Sequence, residues 1–452
     1  MNILQKLGRD GINATLEADR TMGWFATFSM WLAANMVVTT IYTGMFFVPD
    51  LPFATAIWII LIGSVVGVIP LMLVGTMGAK TGLTTMTLTR GAFGTKGSVL
   101  PSVVNIIILI GWSWVQALMA GMSMNYAISH LTGYSNLPLF TILCETMVVI
   151  ITLLGHKGIE VFEKIIATAM LLLSGAVFFK LFTVYDINTL LNLEQNQLSG
   201  VTKALAFDMV VATAISWAPI AADYNRNCKT TKTSIWGTMI GYVAATLIAM
   251  GTGAIVSGLS IVSSMEQTFD PTVLLAEFGF GLPAAFVIFI SVMTTNIMCV
   301  YSSTMSYLNI RPKATFWKPA LVIGVISIFG ALYSGILDSF VDWILTIGAL
   351  FTPIFAILLA DFIVLKKRNY SVDDLLKNGR NKYWYYKGFN IPAWIVYFIT
   401  AGFAYYWTVI NPLAIGATIP VFLIGFFGYI ILSKVVEVSR SSKQESYTEE
   451  HI

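Results

Sequence analysis

Residues 24–47 read WFATFSMWLAANMVVTTIYTGMFF. No charged side chain interrupts the run. A bilayer core about 30 Å thick takes about 20 apolar residues in helical form, so this stretch is long enough to cross one. Yet Asn35, Thr39, Thr40, Thr43 and Gly44 sit inside it, where a plain lipid-facing helix would carry apolar groups. The segment before it is polar and of mixed charge (Lys6, Arg9, Asp10, Glu17, Asp19, Arg20). The run is too long for the apolar region of a signal peptide, and no small-residue cleavage site follows it, so it is expected to be retained as a span.

Working outward, runs of the same kind recur. Twelve are read, at about 24–47, 53–77, 99–128, 138–155, 165–184, 204–222, 235–258, 281–305, 319–336, 340–362, 391–410 and 413–433. The composition agrees. Of 452 residues 11% are charged and 57% are hydrophobic, whereas a soluble chain carries about a quarter charged residues. A soluble fold would have to expose much of that apolar surface. Soluble enzymes, nucleic-acid binders and disordered chains are disfavoured together. The net charge of +3 is too small to attract a polyanion. Cys144, Cys228 and Cys299 lie far apart, as do His130, His156 and His451, which argues against a disulfide framework and a metal cluster.

The distribution of basic residues tests the span count. With the N-terminus in the cytoplasm, all but two of the 26 Lys and Arg residues fall in the inside segments, Lys180 and Lys203 being the exceptions. One missed or invented span would reverse the sign of every later loop. The alternation therefore supports twelve spans with both termini inside. The expected organisation is a cytoplasmic N-terminus at 1–23, a first five-helix block at 24–184 and a second at 204–362. A cytoplasmic loop at 366–390, two further helices within 391–433 and a cytoplasmic tail at 434–452 follow. Five spans per block put the second block in the membrane upside down, the arithmetic of a five-plus-five inverted repeat.

In such folds the first helix of each block is the one to be interrupted. Span 1 carries the polar set above; span 6 carries Thr213, Ser216, Trp217 and Pro219. Proline has no N–H to donate and crowds the preceding turn. Both spans are expected to break at mid-depth, where freed backbone needs protein, water, ion or ligand to satisfy it. Back-bonding by Ser and Thr, with an ordinary proline kink, is the competing reading.

At these residues the sequence resembles the nucleobase:cation symporter family 1, on its cytosine-permease-like branch. The motifs are Tyr42-Thr43-Gly44; Gly78-Ala79-Lys80-Thr81-Gly82-Leu83 with Arg90, Phe93-Gly94 and Gly97-Ser98; Gly111-Trp112; Asp223-Tyr224 and Arg226; Thr294-Thr295-Asn296; and Asp361, Tyr370 and Gly388-Phe389-Asn390. They run in family order over about residues 20 to 410. The resemblance implies a leucine-transporter-type all-α membrane protein that works by alternating access and is no enzyme. It implies uptake of a nucleobase or related flat heterocycle across the plasma membrane. Sodium is the implied coupling ion, with no other cofactor and no obligatory protein partner. A proton-coupled symporter and an uncoupled facilitator or channel are the alternatives.

A flat ring needs a stacking face and in-plane hydrogen bonds. Trp112 and Gln116 lie four apart and share a helix face. An indole supplies the face and an amide supplies a donor and an acceptor. Periodicity alone equally describes packing between helices. The resemblance places Trp112 at the family's stacking position, with a spacing to Gln116 like that of hydantoin-type members. Cytosine-type members carry a glutamine where this chain has Leu109, which counts against cytosine itself. Ser216 and Trp217 are expected as the second wall, although Trp217 also suits an interfacial anchor. Asn296 is expected as a substrate contact, while Val300 replaces an asparagine that touches substrate in some members. The resemblance assigns sodium to Thr294, Thr295 and the Ser291 carbonyl, completed by the carbonyls of Ala33 and Met36. The intramembrane acids Glu145 and Asp208 are proton candidates lying near the outer boundary as the spans are drawn. Asp223, Arg226 and Asp361 read as gating or interhelical pairs.

Overall fold

The computed structural model describes residues 12–153, 187–262 apart from 197, and 279–449, with isolated positions between 168 and 183 and at 272 and 276. Among the described residues the regular structure is helical, apart from two isolated bridges, Met22 to Cys228 and Tyr386 to Phe389. The main helices are α1 (Trp24–Asn35), α2 (Val38–Met45), α3 (Phe53–Thr81), α4 (Thr85–Phe93), α5 (Val99–Thr132) and α6 (Leu137–Leu153). They continue with α7 (Lys203–Asn225), α8 (Thr231–Val262), α9 (Gly281–Ile310), α10 (Trp317–Ala331), α11 (Phe340–Ala360), α12 (Ile391–Tyr405) and α13 (Thr418–Glu449). A helix stands at each predicted span except the fifth, 165–184, of which more than half, and every run longer than two residues, lies outside the described residues. Among the described residues seven helices are long and apolar enough to cross a membrane, or eight if the bent pair α1 and α2 is one span.

The helices sort into groups. α1, α2, α3, α7 and α8 pack on one another. α5, α6, α9 and α10 form a second group, and α11, α12 and α13 a third. The first two groups meet along a narrow seam, where α9 approaches α1, α2 and α7. A seam between two well-packed groups is the place where one group can rock against the other without unpacking either.

Span 1 breaks as expected, with a bend of 54° between α1 and α2. The cause is local. Val37, Val38, Thr39 and Thr40 form a β-branched run, whose side chains lose rotamer freedom against a helical turn. Val37 is extended, at φ −125° and ψ 160°. The last bond of α1 runs from Met36 N–H to Leu32, and the first of α2 run from Thr40 and Ile41 N–H to Val37. The carbonyls of residues 33–36 are thereby released from the helical ladder. Asn35 bridges the gap by donating to Thr246 Oγ1 at 2.7 Å and accepting from Trp217 Nε1 at 3.0 Å and Thr40 Oγ1 at 3.3 Å.

Span 6 does not break. α7 is helical from Lys203 through Pro219 to Asn225, which corrects the expectation of two interrupted helices. A proline removes one helical bond, and here the neighbours hold the helical path: Thr213 Oγ1 bonds back to Met209 O at 2.7 Å and Ser216 Oγ to Thr213 O at 2.6 Å. The competing reading of Ser/Thr back-bonding holds for this helix.

The Tyr42-Thr43-Gly44 motif is a close-approach device. A Cβ on Gly44 would stand 2.0 Å from the Met250 carbonyl oxygen, and one on Gly253 2.0 Å from that of Ile41. Only paired glycines let α2 lie so near α8.

Candidate functional site

A small cavity of about 20 Å³ opens along the seam between the first two groups. α5 contributes Leu109, Trp112 and Gln116, one helix face read at intervals of three and four. α7 contributes Thr213, Ser216, Trp217 and Ile220, and α9 contributes Thr295 and Cys299. α2 adds Thr39, Thr40 and Thr43, just past the break.

The structure thus brings four of the five expected substrate contacts, Trp112, Gln116, Ser216 and Trp217, around one space. The two indoles come from different groups. Trp217 is half-buried, stands edge-on to Trp31 with ring centroids 6.5 Å apart, and donates to Asn35. It is therefore tied to the break in span 1 and is not an interfacial anchor. Gln116 is buried, and its Oε1 has no hydrogen-bond partner among the described residues. A buried acceptor left unpaired costs about 1–3 kcal/mol, and a donor arriving in the cavity would repay it. The Ser216 hydroxyl, by contrast, is spent on Thr213 O.

Asn296 departs from the expectation. It does not line the cavity; its Nδ2 donates to Glu145 Oε2 at 2.5 Å. The side chain on the cavity side is Thr295, one residue earlier. Glu145 is fully buried. It lies midway along α6 and is bonded to Ser113 and Asn296, the sequence neighbours of cavity residues Trp112 and Thr295. Asp208 accepts from Ala417 N–H at 2.5 Å and Thr418 N–H at 3.2 Å, so it caps the start of α13.

Of the expected sodium ligands, Ser291 and Met36 meet at the break. Ser291 Oγ donates to the released Met36 carbonyl at 3.1 Å. Thr294 Oγ1 donates to Ser291 O at 2.7 Å, and Thr295 Oγ1 to the same oxygen at 3.3 Å. The Ala33 carbonyl is among those released by the break. The donor set is all oxygen and neutral, with two carbonyls outside the helical ladder, which fits a hard monovalent cation. The threonine hydroxyls bond back within their own helix, as isolated threonines do, and would have to turn to meet an ion.

Two contacts close the cavity; the sequence missed the first and read Asp223 in the second as a gating or interhelical pair. At one end of the cavity Trp112 meets Phe340 edge-on at 6.1 Å, and Phe340 meets Tyr42 at 4.8 Å. Phe340 opens α11, and no local signal links it to residues more than two hundred positions earlier. At the other end Asp223 ties three helices. It accepts from Thr85 N–H at 2.8 Å and Ser302 Oγ at 2.7 Å, while Ala222 N–H donates to Thr85 Oγ1 at 3.0 Å. Beyond it the motif residues form one polar assembly. Arg90 donates to Asn309 Oδ1 and O, both at 2.8 Å, and to Leu375 O at 2.9 Å. Burial draws its guanidinium down to about 10, so it remains a full donor at neutral pH. Asp361 accepts from Tyr370 OH at 2.6 Å and Tyr429 OH at 2.8 Å, and Asn390 Nδ2 donates to Tyr429 OH at 2.9 Å. Burial, then the charge of Asp361, holds the Tyr370 phenol well above its usual range, so it stays a donor.

Known proteins were compared with this arrangement. The family model described as "Permease for cytosine/purines, uracil, thiamine, allantoin" matches residues 16–435. Among curated relatives, the purine-uracil permease NCS1 of Arabidopsis thaliana is 24% identical, over 97% of this chain and 79% of its own length. The cytosine permease of Escherichia coli strain K12 is 26% identical over 76% of each chain. The hydantoin permease of Microbacterium maritypicum is 20% identical over 85% of this chain and 81% of its own. Among solved structures, Mhp1, a nucleobase-cation-symport-1 family transporter in a closed conformation with bromovinylhydantoin bound, superposes with a TM-score of 0.81 at 18% identity. The match covers 95% of this chain and 96% of Mhp1. The inward-facing conformation of Mhp1 gives 0.78. A Na+-coupled sialic acid symporter gives 0.62 at 13% identity, over 94% of this chain and 91% of its own. The family and these neighbours are permeases and transporters, not enzymes, and the fold is theirs. With the model matched from residue 16 to residue 435, this chain belongs to the family of permeases for cytosine and purines, uracil, thiamine and allantoin.

Proposed function

We propose that this permease is a symporter that uses a cation gradient, with Na+ as the coupling ion, to take up a planar heterocycle of the nucleobase class by alternating access. The observation that carries this reading is the cavity itself. Two indoles from separately packed groups face one space with Gln116 Oε1, which has no partner among the described residues, and that space is lined by Thr39 and Thr40 just past the break in span 1. A flat ring stacked there would receive or offer one in-plane polar edge at Gln116. Its other edges would meet Leu109 and Cys299 together with the threonines of α2 and Thr295. Leu109 offers no hydrogen bond, which counts against cytosine.

The ion and the ring share the seam. Na+ would replace the Ser291–Met36 hydrogen bond with ligands from α1 and α9, pulling the two groups together. That is how an ion bound beside the cavity raises affinity for the ring without touching it. The aromatic contact of Phe340 with Trp112 and the Asp223 tie close opposite ends, so opening one and then the other gives alternating access. The chain is further proposed to cross the plasma membrane twelve times with both termini cytoplasmic, as two inverted five-helix blocks followed by two helices.

The test is a thermal-shift screen of purified protein against cytosine, uracil, hypoxanthine, allantoin, hydantoin and thiamine, run in sodium and in choline. A compound whose stabilisation grows with sodium supports the reading. Equal stabilisation in both salts removes sodium as the coupling ion.

A further inference from the structure

Five carboxylates are buried among the described residues, and four have structural work. Asp50 accepts from the backbone N–H groups of Leu198, Ser199 and Val201. Asp208 caps α13, Asp223 ties α7 to α4 and α9, and Asp361 is held by two tyrosines. Glu145 caps no helix and joins no closure. It is fully buried; Oε1 accepts from Ser113 Oγ at 3.0 Å, and Oε2 from Asn296 Nδ2 at 2.5 Å. Both partners adjoin cavity-lining residues, so the carboxyl stands one side chain behind the cavity wall.

Among the described residues its surroundings offer no counter-charge. α6 packs against α5, α9 and α10. Across these four helices the other ionic side chains are His130 in the last turn of α5 and Lys318 in the first turn of α10. The nearby thiols are Cys144 on α6 itself and Cys299 on α9, and the remaining phenols on α9 are Tyr301 and Tyr307. Among the described residues no ion pair involves Glu145. A lone negative charge at this depth is expensive, and ionisable groups so placed are functional by default. Asn296 adds a second sign, because its Oδ1 is buried without a partner.

We propose that Glu145 is a proton-binding site that exchanges H+ with water during the transport cycle and reports its state to the cavity through Asn296. The chemistry is one proton added to one carboxylate oxygen, with no other bond made or broken. Charged Glu145 accepts from the Asn296 amide nitrogen, as observed. Proton-bound Glu145 becomes a donor, and a turn of the Asn296 amide presents the oxygen that is otherwise unsatisfied. The two arrangements are discrete, and Thr295, beside Asn296, lies in the cavity wall. The meaning of this switch for transport rests on the reading of that cavity as the substrate site.

The test uses the full chain in liposomes and neither sodium nor heterocycle. Infrared difference spectra between acidic and alkaline buffer should show the C=O band of a protonated buried carboxyl, shifted in D2O. The band should vanish in Glu145→Gln and persist in Asp208→Asn. Asn296→Ala should keep the band and move its frequency. If Glu145→Gln fails to fold, Glu145→Asp serves, with a displaced band expected. Identical spectra for wild type and either Glu145 variant would overturn the proton site, and an unmoved band in Asn296→Ala would overturn the link to the cavity. Because the readout needs no substrate, a positive band with a silent heterocycle screen would sink the transport reading alone, and the converse would sink this one alone.

Discussion

Spans 1 and 6 differ in an instructive way. Span 6 contains a proline and stays helical; span 1 contains none and breaks. The proline in α7 costs one hydrogen bond inside a helix whose hydroxyls bond back along it. The break in span 1 combines a β-branched run with an asparagine that can satisfy what the break exposes. Asn35 reaches Thr246 on α8 and receives Trp217 from α7, so the discontinuity is held open by its neighbours. A break at membrane depth is set by whether partners exist for the freed groups, more than by the presence of a helix breaker.

The comparison can be broken or sharpened by substitution. The largest effect is expected from Gly44→Val. Its Cβ would collide with the backbone of Met250, where no side chain can give way, so a loss of roughly 3 kcal/mol or more is expected. Yield and monodispersity in detergent check it, and a well-folded variant would mean α2 can slide along α8. Next comes Asn35→Ala. It strands Trp217 Nε1 and unlinks the break from α8, which should cost about 2–4 kcal/mol for two buried bonds and abolish sodium-dependent stabilisation. Thermal melts in sodium and choline read both.

Gln116→Leu should leave the melting temperature near wild type, since its Oε1 has no partner to lose. It should weaken heterocycle binding by about 5–150-fold, the worth of about 1–3 kcal/mol. Isothermal titration with the best compound from the screen measures it. An unchanged affinity would remove Gln116 from the site. Cys299 gives a chemical readout of the same wall. A small methanethiosulfonate reagent should label it, bound heterocycle should slow the labelling, and mass spectrometry of the modified peptide should find Cys144 unmodified. The smallest effect belongs to Pro219→Ala, expected to shift stability by less than about 1 kcal/mol and to leave uptake intact. A collapse of transport in that variant would show that the proline matters to the cycle in a way the continuous α7 does not express.

Much of the fold was legible in the sequence because a membrane leaves little latitude. Runs of about 20 apolar residues must be helices, and a helix stands at every predicted span that the structure describes. The site was legible in part. Trp112 and Gln116 share a face by periodicity alone, and the break in span 1 announced itself through Asn35 and the threonines. Asn296 was read as a substrate contact because a buried amide needs a partner, and the sequence could not say that the partner is Glu145. Likewise Asp208 looked like a proton carrier until Ala417 and Thr418 were seen beside it.

The sequence by itself determined the solvent of this protein, the position of its helices and which faces are polar. These follow from side-chain transfer energies and from a period of 3.6 residues, both local properties. Only the tertiary structure decided which polar groups meet. The Trp217–Asn35 bond joins residues 182 positions apart, and Asn296–Glu145 joins residues 151 apart. A hydrogen bond acts over a few ångströms, so pairings at that sequence distance are fixed by how the helix groups pack.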